Sequence, residues 1–141
     1  MADRLFVTCE HAGNVVPKEY AHLFVGHEHL LPTHRGWDPG ALLLAREMAE
    51  RFGAPLCYDK TTRLLADLNR SVGTPDLHSE ATRHLGKAER RRLLEAYYFP
   101  HRRRVDVALA GFGRVGASSQ SEAPRTCCFR SGNTLPILPS R

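Results

Sequence analysis

The first ordered pattern along the chain is a short apolar, β-branched stretch from Arg4 to Cys9 that stops at Glu10-His11-Ala12-Gly13-Asn14. A run of this length ending on a turn signal predicts a buried strand that leads into a loop. Ligand-type residues then sit where the strand ends. Between Pro17 and Pro32 the pattern is mixed, and His22, His27 and His29 recur at no consistent spacing, which predicts a short helix and loop lining or covering a site. The next element is clearer. Asp38-Pro39 combines an N-cap residue with proline at the first helical position, and Ala41, Leu44, Ala45, Met48 and Phe52 follow at helical spacing opposite Arg46, Glu47, Glu50 and Arg51. Gly53 and Pro55 end that helix, and Pro55 to Asp59 reads as a second strand. Strand, helix, strand in this order implies a parallel pairing with a right-handed crossover, hence an α/β fold.

Further along, Leu64 to Arg70 reads as a short extended segment and Ser71 to His84 as a polar loop. Gly86 to Leu109 is helical in pattern, with Leu94, Tyr97, Tyr98, His101, Val105 and Ala108 on one side, and Pro100 must kink or split that helix. After Gly111 the periodicity stops. Sixteen of the last 31 residues are Gly, Ser, Pro or Arg, a composition that does not bury enough apolar area to offset the entropy of ordering. The expected organisation is a partial α/β domain over 1–110 and a low-order tail over 111–141.

Composition adds bounds. A length of 141 residues fits one domain, and 42% hydrophobic with 25% charged residues is ordinary for a globular protein. No apolar run approaches the roughly 18 residues of a membrane span, and the N-terminus lacks the apolar region of a secretory signal, so a cytoplasmic enzyme is expected, with no membrane partner. Cys9, Cys57, Cys127 and Cys128 have neither paired metal-site spacing nor the density of a disulfide framework, and read as reduced thiols. The net charge of +5 divides into +3 after Gly111 and +2 before it, so it says little about the folded part. Arg90-Arg91-Arg92 and Arg102-Arg103-Arg104 raise nucleic-acid binding as a reading from another class, but no RNA- or DNA-binding motif accompanies them. No nucleic-acid partner is expected.

Three clusters carry candidate chemistry: Glu10-His11-Ala12-Gly13-Asn14, His34-Arg35-Gly36-Trp37-Asp38-Pro39-Gly40-Ala41 and Arg63-Leu64-Leu65-Ala66-Asp67-Leu68-Asn69-Arg70-Ser71. In an open α/β sheet, sites lie beyond the carboxyl ends of the strands, where these clusters can converge. Imidazole and carboxylate are good zinc ligands, and bound zinc lowers the pKa of water to about 7; Glu10, His11, His34 and Asp38 are of the right types. Adjacent strand residues point to opposite faces, so Glu10 and His11 share a site only if the chain turns, which Gly13 permits; otherwise both are strand-end polar groups. Asp38 is equally explained as a helix N-cap. Asn69-Arg70 suits a substrate carboxylate, since a guanidinium fork pairs bidentately with one. Asp67 is placed to orient Arg70, or Arg63 to meet negative charge developing on an amide oxygen; a surface turn with an internal Asp/Arg pair explains the same residues.

Taken together, and with the Tyr-Tyr-Phe-Pro-His-Arg helix, these blocks resemble the N-formylglutamate amidohydrolase family in wording, order and spacing over residues 4–109. The resemblance implies a mixed, largely parallel sheet flanked by helices, related to the zinc carboxypeptidases. It also implies hydrolysis of the formamide of an N-acyl amino acid carboxylate by metal-activated water. It makes His11 the best zinc ligand and Asn69 with Arg70 the carboxylate clamp; residue type adds His34 and Asp38 as further metal ligands, Asp67 as substrate-binding, and Glu10 and Arg63 as catalytic. Family members continue past the long helix with a strand carrying a further histidine ligand, whereas the last histidine here is His101. A truncated or frame-shifted chain, an incomplete sheet with an unpaired edge and weakly bound zinc are the corresponding expectations. A non-catalytic remnant is the alternative.

Overall fold

The computed structural model describes residues 5–114 and 125–128, the backbone alone for 112–114 and 125–128. Three parallel strands form its sheet in the order β2-β1-β3, with β1 (Leu5–Cys9) in the centre, β2 (Leu56–Tyr58) on one side and β3 (Arg125–Cys128) on the other. Val7 pairs with Leu56 and Cys9 with Tyr58, while Leu5 pairs with Arg125 and Thr8 with Cys128. The α/β class therefore stands, and every pairing among the described residues is parallel. β3 hydrogen-bonds along β1, so among the described residues the open edges of the sheet are β2 and β3. The signal was easy to miss: four residues, Arg-Thr-Cys-Cys, are too few to show a period. The rest of the expected tail beyond Arg114 lies outside the described residues.

Between the first two strands, α1 (Ala41–Phe52) packs on the sheet and ends at Gly53, whose φ of 58° is the left-handed conformation that glycine adopts without a steric penalty. Ala41 and Ala45 are buried against Val7, Cys9 and Ala12, and Leu42, Met48 and Ala49 flank that contact. The periodicity located the helix but rotated its inner face: Leu44 and Phe52, read as core, are 41% and 61% exposed.

Leu64 to Arg70 is not the extended segment expected. Leu64, Leu65, Ala66 and Leu68 are buried in the larger core with Leu77, Leu93 and Tyr98, yet the backbone closes on itself through Leu65 N–H to Thr62 O and Arg70 N–H to Asp67 O, both at 3.0 Å. A continuous apolar run signals burial on all sides, and here a turn embedded in the core provides it.

The long helical stretch is not split at Pro100 but changes its winding just before it. α2 (Lys87–Leu93) passes into a π-helical turn, Leu94–Tyr98, and then α3 (Phe99–Arg114). Pro100, with no N–H to donate, follows the π-helical turn that the Phe99 N–H closes on the Leu94 carbonyl, and this wider turn takes up the bond that proline cannot make. Residues 17–32 fold into two 3-10 helices, Lys18–Phe24 and Glu28–Leu30. Tyr20 sits edge-on to Tyr97 at 5.8 Å, and the Tyr97 hydroxyl donates to Glu19. No helix among the described residues is long and apolar enough to cross a membrane.

Candidate active-site cleft

Glu10 and His11 lie in the turn that follows β1, so their directions are set by that turn rather than by the pleat. Val7 and Cys9 face α1, and His11 lies just beyond the strand end, where its carbonyl accepts the Asp38 N–H at 3.1 Å. Gly13 lets this turn lie against the neighbouring segment, since a Cβ there would stand 2.8 Å from the Lys60 carbonyl oxygen. The His11 ring is 1% exposed and lies between two carboxylates, with Nδ1 at 3.2 Å from Asp38 Oδ2 and Nε2 at 2.6 Å from Asp67 Oδ1. Both contacts are hydrogen bonds only when both ring nitrogens carry protons.

Glu10 points elsewhere. Its Oε1 is 3.5 Å from Nε2 of His101 on α3, a fully buried ring whose Nδ1 lies 3.4 Å from Arg104 Nη2. Glu10 therefore faces His101 on α3, whereas His11 faces Asp38 and Asp67. His101 was visible in the sequence only as part of the Tyr-Tyr-Phe-Pro-His-Arg helix, because nothing in linear spacing joins it to Glu10.

Asp38 does not cap α1. The cap position belongs to Gly40, with φ 85° and no side-chain cap bond, and the buried Asp38 carboxylate turns instead to His11 and, at 3.5 Å, to Arg63 Nη1. Asp67 is the centre of the group. It accepts from His11, from Arg63 Nη2 at 2.9 Å and from the Asn69 N–H at 3.0 Å. Burial pushes its carboxyl up, but the hydrogen bond and charge of His11, the Arg63 guanidinium and the Asn69 N–H outweigh this and hold it down at about 2. Arg63 takes the tight contact with Asp67, while Arg70 Nε remains at 3.8 Å and has no hydrogen-bond partner among the described residues. Asp67 thus fixes Arg63 and only loosely orients Arg70, whose carbonyl oxygen is held by the Tyr98 hydroxyl at 2.6 Å. Cys9, next to this group, is no nucleophile: burial, with Glu10 and Asp38 adding, pushes its thiol up to about 12.

Arg63, Asp67 and Arg70 open into a cleft of about 590 Å³ that also takes in His34, Arg35 and the segment His78–Arg83. That volume is in the range of small-molecule sites, roughly 300 to 1,000 Å³. His34 is exposed and belongs to this lining, whereas His22, His27 and His29, expected near the site, are not part of it.

The model of the N-formylglutamate amidohydrolase family matches residues 3–118. The chain belongs to the N-formylglutamate amidohydrolase family. No curated protein matches it. Among solved structures, the crystal structure of a gene product from Agrobacterium tumefaciens is similar, with a TM-score of 0.77 and 29% identity over 89% of this chain and 51% of that one. This member of the N-formylglutamate amidohydrolase family therefore spans about half the length of that relative.

For an N-formylglutamate amidohydrolase family chain the expected metal set was His11, His34 and Asp38. Among the described residues no group of three or more His, Cys, Asp or Glu side chains is arranged to hold a metal. The bonding explains this. Asp38 lies on the Nδ1 side of His11, where it orients the ring as a carboxylate behind a ligating histidine would, and Asp67 occupies the Nε2 side. Both ring nitrogens of His11 are thus engaged by carboxylates, and His34 lies in the exposed lining of the cleft.

Proposed function

We propose that this chain binds an N-acyl amino acid through its carboxylate and hydrolyses its amide bond, N-formylglutamate being the expected substrate. The observation that carries this reading is that Asp67, bonded to the buried His11, lines one cleft with the guanidinium groups of Arg63 and Arg70. Arg70, with loosely engaged donors on its fork, receives the substrate carboxylate beside Asn69. Arg63, anchored by Asp67 and Asp38, is held to face negative charge as it develops on the amide oxygen. His11 has carboxylates at both ring nitrogens, Asp38 at Nδ1 and Asp67 at Nε2, which fix its orientation. A divalent metal, expected from the family, would supply an activated water when bound, with His11 the residue expected to hold it; weak, substoichiometric zinc binding is the corresponding expectation.

The test is formate release from N-formylglutamate by the full chain with zinc added. The reading requires His11→Ala to abolish release and Arg70→Ala to raise KM more than it lowers kcat. If N-formylglutamate binds but no formate forms at high protein concentration, the hydrolytic part is wrong. A second reading, a carboxylate-binding chain without catalysis, is favoured by the incomplete donor set and would then stand.

A further inference from the structure

α1 carries more apolar surface than its contact with the sheet uses. Ala41 and Ala45 are buried against β1, whereas Leu44 and Phe52 are exposed and Met48 is only partly covered. Spaced four apart, these three side chains form a stripe about 12 Å long on one side of the helix. Glu47 and Arg51, both exposed, border it. They too are four apart, yet neither has an ion-pair partner among the described residues, in contrast to Arg91 and Glu95 at the same spacing, which meet at 2.8 Å. On the far side of α1 the Arg46 guanidinium lies over the Tyr58 ring, 5.6 Å from its centroid, so that side is already engaged. None of these residues lines the cleft.

Exposed apolar side chains are ordinary on their own; here the order of the flanking charges decides what fits them. Across a two-fold axis level with Met48, a second α1 runs antiparallel. Leu44 then meets the other copy's Phe52, the two Met48 side chains meet, and Glu47 comes within about 3 Å of the other copy's Arg51 along the helix axis. Two such ion pairs form, one on each side of the axis. A parallel pairing would instead set Glu47 on Glu47 and Arg51 on Arg51. We propose that this face of α1 is the interface of a symmetric homodimer, closed by the Leu44, Met48 and Phe52 stripes and by two Glu47–Arg51 pairs. Three apolar side chains from each copy fall short of the roughly 800 Å² a side of a standard interface, so the dimer is weak and exchanges with monomer. It is independent of the hydrolytic reading.

Sedimentation velocity of the full chain between about 5 and 500 µM tests this face, since self-association follows concentration by mass action. The expected result is a sedimentation coefficient that rises from monomer toward dimer. Glu47→Arg replaces both attractions with Arg–Arg contacts and weakens association about tenfold, as Arg51→Glu does with the opposite sign. Combining Glu47→Arg with Arg51→Glu restores association to within about threefold of the unmodified chain, because each copy again meets opposite charges. Phe52→Ser, at an exposed position, weakens it by about tenfold or more; unchanged circular dichroism shows that each variant is folded. A chain that stays monomeric throughout overturns the inference, and is the outcome if a segment of the same chain or another protein covers the stripe. Association that ignores both Phe52→Ser and Glu47→Arg, or that the double reversal fails to recover, overturns it as well.

Discussion

Replacing Asp67 by Asn tests the electrostatic core of the site, because that carboxylate joins His11, Arg63 and the Asn69 N–H. Asn retains an acceptor for one of these donors but loses the charge. Asp38 still compensates His11 from its other nitrogen, so the loss at neutral pH belongs near the lower end for a broken buried pair, about 3 kcal/mol. The pH dependence is the sharper readout. Folding lowers the Asp67 carboxyl from 3.8 to about 2, so between those values the unfolded chain binds more protons than the folded one. Its contribution is complete above about pH 4 and disappears as pH falls through about 2; a shift of this size is worth roughly 2 kcal/mol. Glu19, lowered by the Tyr97 hydroxyl, and Glu80, lowered by its own backbone N–H and by Arg35 despite some burial, are present in both proteins and cancel in the difference. Urea unfolding at several pH values from 6 down to 2 should therefore show the Asp67→Asn deficit shrinking with acidification. A deficit that stays constant across that range would refute the argument, since it would mean that Asp67 is not held in its charged form by these partners.

Three further outcomes follow from the packing. Gly36→Ala places a Cβ onto the Leu31 carbonyl, so the loop that carries His34 and Asp38 must shift; an unfolding midpoint lower by about 1 to 3 kcal/mol is expected from denaturant titration. Tyr98→Phe removes the hydrogen bond to the Arg70 carbonyl; it should cost about 1 kcal/mol in stability and weaken N-formylglutamate binding, whereas unchanged affinity would deny Tyr98 a part in placing Arg70. Cys9, buried and with its thiol raised to about 12, should resist iodoacetamide at pH 8 in the folded chain and react once unfolded, as read by peptide mass mapping.

Local pattern by itself determined much of this protein. The β1 stretch, the position and Gly53 stop of α1, the short second strand and the change of winding in the long helix before Pro100 all follow from apolar period and from residues whose backbone chemistry admits few alternatives. The three polar blocks that meet at or beside the cleft were also legible, since their residue types suit carboxylate and metal chemistry at any position. Local pattern did not determine partners. A helix-cap signal at Asp38 is indistinguishable in sequence from a carboxylate needed elsewhere, and the fold assigned it to His11 and Arg63. The apolar run Leu64–Leu68 signals burial without saying whether a sheet or an embedded turn supplies it. Adjacent residues Glu10 and His11 look like one site in linear order, but the turn after β1 sends one to His101 and the other to Asp67. Such contacts join segments far apart in the chain, and they form because a buried charge must find compensation within a few ångströms in space, at whatever separation in sequence the tertiary fold provides.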